Sequence, residues 1–119
     1  MKNLALLLFS GVFLHGALQQ IQEPHPRAER ARGSGLPVSD EFVQLSGWAM
    51  IAGSVALQIK PLRRLAALML GLQLIPITYV GHRFWEMEGQ AVFQNRTHFF
   101  KNLAVIGGAF YIAAADEED

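Results

Sequence analysis

The 119-residue chain contains no cysteine, and that absence removes several chemistries at once. It can form no disulfide, thiolate nucleophile, Cys-type zinc site or cysteine-ligated iron–sulfur cluster, and thiol chemistry says nothing about its compartment. Charge is scarce too. Only 17% of residues are charged, ten of each sign, so the formal net charge is zero and no nucleic-acid partner is indicated. The sequence has no H-E-x-x-H or similar metal-ligand spacing and no nucleotide-binding glycine loop. With no evident set of nucleophile, base and orienting residue either, an autonomous enzyme is not expected.

What the chain has is hydrocarbon. Half of it, 51%, is hydrophobic by count, gathered into runs longer than one soluble core of this size would need. Leu4 to Ile21 is 18 residues without a formal charge, about 27 Å of helix, which approaches the thickness of a bilayer core. A cleaved signal peptide is the rival reading of this stretch, with Lys2 as a thin basic region. No A-x-A pattern follows, and His15, Gln19 and Gln20 stand where small residues belong, so retention as a span is expected.

Residues 22–41 change character, with three prolines, two glycines and mixed charge, and are expected to be an aqueous loop. Its three arginines can meet lipid phosphate, but the favoured reading is that they only keep the loop solvated. Phe42 to Ile59 resumes the apolar pattern behind a Ser39 N-cap with Asp40 and Glu41 in the first turn. Ala49 and Gly53, like Ala52 and Ala56, stand four apart and let helix backbones approach closely. Lys60-Pro61-Leu62-Arg63-Arg64 reads as a tight turn whose three cations mark a cytoplasmic face. The third run, Leu65 to Val80, carries Gln73, which needs a partner, and Pro76, which removes a backbone donor. The last begins near His98, has Ala104 and Gly108 as a further small-residue face, and leads into an acidic, solvated tail.

The expected fold is therefore an all-α membrane protein, an antiparallel four-transmembrane-helix bundle forming one domain over 1–119, with spans near 4–21, 42–59, 65–82 and 98–115. Alternating helix direction brings His15 and Gln19, Gln44 and Ser46, His82 and Arg83, and His98, Lys101 and Asn102 to one end, opposite Lys60, Arg63 and Arg64. Both termini are expected inside, with this polar end outward, on the density of the hairpin cations.

The candidate ligand-binding residues are His15, His82, Arg83, Trp85, Glu86, His98, Lys101 and Asn102. If the third helix continues past Val80, His82 and Glu86 share a face and the carboxylate can orient the imidazole. With His98 and Lys101 they offer donors and acceptors to a quinone headgroup. The opposing readings are structural. Phe84, Trp85 and Arg83 fit an interfacial belt that fixes helix depth, and Lys101 can pair with Glu86 or Glu88. His82 and His98 suit either a hydrogen-bond network or a ligand site.

The basic hairpin before LAALMLGLQLIP, then GHRFWE, then HFFKNLAVIGG, gives a chain that resembles the DoxX family of bacterial four-helix membrane proteins. It is similar in particular to an actinobacterial-type subgroup with a third-helix proline, a G-H-R-F-W-E stretch and an H-F-x-K-N-L motif. The resemblance covers nearly the whole chain. It implies a multi-pass bacterial inner-membrane protein in the lipid bilayer, and for some relatives an association with other membrane redox proteins, in quinone-linked sulfur oxidation or redox protection. Without cysteine, thiol-based roles cannot be carried by this subunit. An accessory subunit that binds a small, quinone-like ligand and a structural scaffold are the two functions this implies. A transport role would call for a homo-oligomer.

Overall fold

Pro24 divides the first third of the chain into two helices in the computed structural model, which describes residues 1–115. The acidic tail lies outside the described residues. Helix α1 (Lys2–Gln22) ends at Glu23, whose φ of −135° and ψ of 69° lie outside the helical region, as expected of a residue before proline. Helix α2 (Pro24–Gly33) follows at once. The expected aqueous loop at 22–41 is thus half helical. Pro24 and Pro26 sit in its first turn, where the missing N–H groups have no intrahelical acceptor to lose. Ala28 and Ala31 form its buried face. Its end is closed by Gly35 at a φ of 91°, with Leu36 N–H donating to Ala31 O at 3.0 Å and Gly35 N–H to Arg32 O at 3.1 Å.

Helix α3 (Asp40–Leu57) starts as expected, its Ser39 Oγ accepting the Phe42 N–H at 3.1 Å. Only Gln58 and Ile59 separate it from α4 (Lys60–Gly81), so the Lys60–Arg64 segment is the opening of a helix rather than a turn. Pro61 falls in that first turn, where it is well tolerated. Arg63, expected among the solvent-facing cations, is buried instead. Its Nε donates to Leu57 O at 2.9 Å, closing the carbonyl end of α3. Helix α4 runs unbroken through Pro76 to Gly81. A short 3-10 turn (Phe84–Glu86) and α5 (Gln90–Ala115) complete the chain, α5 starting well before His98.

Numbered contacts fix the packing. Gln58 reaches Ser10 at 3.0 Å while Gln44 reaches Ile21 O at 3.1 Å, so α1 and α3 run in opposite directions. Gln73 donates to Ser46 Oγ at 2.7 Å, while a side chain at Gly53 would meet Leu70, so α3 and α4 also run in opposite directions. Asn102 donates to Thr78 Oγ1 at 3.1 Å, and Gly71 lies against Ala109 and Phe110, pairing α4 with α5. The core is built around Phe13, Leu57 and Leu70 with Ala17, Ala67 and other small residues between them.

Among the described residues three stretches, Lys2–Gln22, Lys60–Glu86 and Gln90–Ala115, are long and apolar enough to cross a membrane. Four spans were expected. Helix α3 falls short because its 18 residues include Asp40, Glu41 and Gln44.

Candidate functional site at the polar end

Four of the eight sequence candidates line one small cavity. His15 of α1, His82 at the end of α4, and Lys101 and Asn102 of α5 enclose about 130 Å³ together with Gln19, Gln20 and Arg27. One water occupies about 30 Å³ of liquid, so this space suits a few waters or one substituted six-membered ring.

His82 is the best-defined group. The Nδ2 of Asn95 donates to Ala91 O at 2.9 Å, which turns Asn95 Oδ1 toward the imidazole and makes it the acceptor of His82 Nδ1–H at 2.9 Å. In the neutral ring this places the free lone pair on Nε2. His98 does not line the cavity; its ring packs on His82 with centroids 5.2 Å apart, and its Nδ1 accepts from Lys101 Nζ at 3.5 Å. Asn102 is buried and bound to Thr78, whose hydroxyl donates to Leu74 O at 2.7 Å.

Glu86 does not orient His82. Helix α4 stops at Gly81, so the four-residue spacing no longer places the pair on one face, and Glu86 joins Arg83 at 3.1 Å. Nor does Lys101 pair with Glu86 or Glu88; its neighbour is His98. Arg83 lies outside the cavity, donating to Ser34 Oγ at 2.6 Å and covering the Tyr79 ring at 5.2 Å, so it ties the end of α2 to the end of α4. Trp85 stands in an aromatic cluster with Tyr79, Phe84 and Phe99.

Asn95, Thr78 and Arg27 escaped the sequence reading. Asn95 sits in a stretch read as loop, although its position three residues before His98 is a helical spacing. Thr78 looked like an ordinary apolar-helix residue. Arg27 lies in the segment read as aqueous, yet α2 folds it back so that it donates to Gln19 Oε1. Burial, then the adjacent Arg30, lower the Arg27 pKa from its ordinary value. On the outer side of α2, His25 contacts Asp40 at 3.1 Å and Glu29 at 3.2 Å, and the hydrogen bond to Asp40 raises its pKa.

A second, larger cleft of about 840 Å³ runs between α3 and α4 beneath α2. Gln20, Arg27 and Ile77 stand in the walls of both cavities. Comparison of the chain with protein-family models, with curated proteins and with solved structures gives no match.

Proposed function

We propose that the chain is a multi-pass membrane protein of the DoxX type, an antiparallel bundle of four transmembrane helices, whose polar end binds the headgroup of a small quinone-like ligand for a membrane redox system. The membrane part is supported by the outward-facing hydrocarbon. Between 22% and 33% of the apolar windows of the three spanning stretches is buried, while Leu8, Leu65 and Tyr111 are more than 70% exposed. Such continuous apolar surface is foreign to a soluble monomer and ordinary against lipid. The interior holds small residues and inter-helix polar pairs such as Gln58 with Ser10 and Asn102 with Thr78, the pattern expected where packing and hydrogen bonds rather than hydrophobic drive join helices. Helix α3 then crosses with Asp40 and Glu41 in the headgroup region at its capped end.

The ligand reading rests on one observation. The Nδ1–H of His82 is held by Asn95, which leaves its Nε2 an acceptor, and His82 lines a cavity of ring size together with Lys101, a donor. A quinone supplies two carbonyl oxygens that accept hydrogen bonds and accept protons on reduction. On the protein side, Lys101 donates to such an oxygen, Nε2 of His82 takes or returns a proton, and Asn102 fixes the orientation. An accessory subunit is the expected form of this activity, because nothing else in the cavity resembles a catalytic set.

A scaffold role is the second reading. It is favoured by the number of polar groups already used as inter-helix ties, Arg83 to Ser34 and Asn102 to Thr78 among them. Quinone analysis of detergent-purified wild type beside His82→Ala and His98→Ala separates the two. The ligand reading expects retained quinone in the wild type and several-fold less in His82→Ala at unchanged protein yield. Equal, negligible quinone in all three leaves the scaffold.

A further inference from the structure

The polar cavity does not account for the larger α3–α4 cleft. The cleft between α3 and α4 is walled by hydrocarbon from Leu65 and Leu68 through Leu72 and Pro76 to Val80, with Leu45 and Ala49 opposite. Leu65 to Val80 is 16 residues, about 24 Å of helix, which matches the length of an extended acyl chain. At one end only, the walls become cationic. Arg27 and Arg30, one helical turn apart on α2, close the cleft there.

Those two arginines are not neutralised from within. Arg27 donates to the neutral amide of Gln19, and neither guanidinium joins an ion pair among the described residues. Neither Glu23, four residues before Arg27, nor Glu29, beside Arg30, pairs with them. Glu29 and Asp40 face His25, and Asp40 also contacts Arg32 at 3.6 Å. Two like charges a helical turn apart, Arg27 half-buried and Arg30 exposed, repel each other, and an anion between them relieves that repulsion. The interior supplies polar groups as well. Gln20 is buried and Gln73 half-buried in the cleft wall, and the carbonyl oxygen of each lacks a hydrogen-bond partner.

We propose that the α3–α4 cleft is a phospholipid site, in which one acyl chain of an anionic phospholipid lies along α4 and its phosphate sits between Arg27 and Arg30. The proposal rests on the membrane reading but not on the quinone reading. A long apolar groove ending in paired cations fits an amphiphile with one anionic head, whereas a quinone has no negative charge for the arginines to bind. Arginine is well suited to the role, since its planar fork matches phosphate oxygens. The lipid would also pin α2 over the bundle, because α2 carries the cations while α3 and α4 carry the groove.

The test is native mass spectrometry of the full chain, released from nanodiscs made with equal parts phosphatidylglycerol and phosphatidylcholine. The wild type is expected to retain one phosphatidylglycerol per chain in preference to phosphatidylcholine by about tenfold or more, the scale that two cations near an anionic surface provide. Arg27→Gln combined with Arg30→Gln is expected to abolish that preference. Ala49→Trp, which fills the groove, is expected to remove bound lipid of both kinds. Arg32→Gln, outside the cleft, is expected to leave retention unchanged. Equal retention of the two lipids by the wild type, no retained lipid, or a quinone in place of the lipid overturns the proposal. Should the double variant fail to fold, the wild-type preference and Ala49→Trp still decide it. A chain that purifies from the aqueous fraction without detergent overturns the membrane reading instead, and with it this one.

Discussion

His82 and Asn95 are joined at 2.9 Å across the connection between α4 and α5, with Nδ1–H of the imidazole donated to the amide oxygen. This bond does two separable things. It links the residue that follows the end of one helix to an early turn of the next, and it selects the ring tautomer whose Nε2 is an acceptor. Asn95→Leu removes both, and is expected to lower stability by about 1 kcal/mol and quinone retention several-fold. Asn95→Asp keeps an acceptor and is expected to restore retention. Thermal unfolding in detergent and quinone content, measured on the same preparations, check the pair. Retention that survives in the leucine variant would remove His82 tautomer control from the binding argument.

Arg63 gives a test of a different kind, because its charge is spent on α3 rather than on topology. Its guanidinium donates to the Leu57 carbonyl at 2.9 Å from a buried position. Replacing it with alanine leaves that helix end without its charged donor, and the expected loss is about 1.5–3 kcal/mol. Arg64→Ala, at an exposed position, is expected to stay within about 0.5 kcal/mol. Equal melting shifts for the two variants would contradict the capping role.

Glycine positions separate close helix packing from mere small-residue spacing. A Cβ at Gly47 would lie 2.9 Å from the backbone oxygen of Ala17, which cannot swing aside, so Gly47→Ala is expected to push α1 from α3 and destabilise by about 1–3 kcal/mol. Gly107 has nothing within 4 Å of the same position, and Gly107→Ala is expected to gain up to about 1 kcal/mol from helix propensity. Melting temperatures of both single variants check the opposite signs.

How much of this was readable in advance follows from which forces act locally. The Ser39 cap, the helical character of the apolar runs and the need of Gln73 for a partner are properties of neighbouring residues and are seen in the structure, although only three of the four runs are long and apolar enough to span. The convergence of His15, His82, Lys101 and Asn102 was also legible, since alternating helix direction is enough to bring them together. Three features were not. Pro24 and Pro26 look like helix breakers until they are seen in a first turn, so α2 was hidden, and with it Arg27. Arg63 looks like a solvated cation, because no local pattern says that the adjacent helix end will need its donors. The end of α4 at Gly81 depends on the 3-10 turn that follows, and it alone decides that Glu86 meets Arg83 and not His82.

The last prediction concerns pH and the outer tie between α2 and α3. His25 carries a raised pKa, first from its hydrogen bond to Asp40 and then from the charges of Asp40 and Glu29. A group whose pKa is higher in the folded than in the unfolded chain stabilises the fold while it is protonated. Its contribution is therefore complete below the unfolded value of 6.5 and is lost as pH rises through the higher folded value. His25→Gln cannot take part in this exchange. The wild type is expected to lose stability relative to His25→Gln between mildly acidic and mildly alkaline pH, with the gap largest at the acidic end. The effect will be small, because His25 is exposed and the pair is screened by salt, so it should shrink further at high ionic strength. Melting curves of both proteins across that range, at low and high salt, supply the check. A gap that widens toward alkaline pH would reverse the sign and place the stabilising form of His25 in its neutral state.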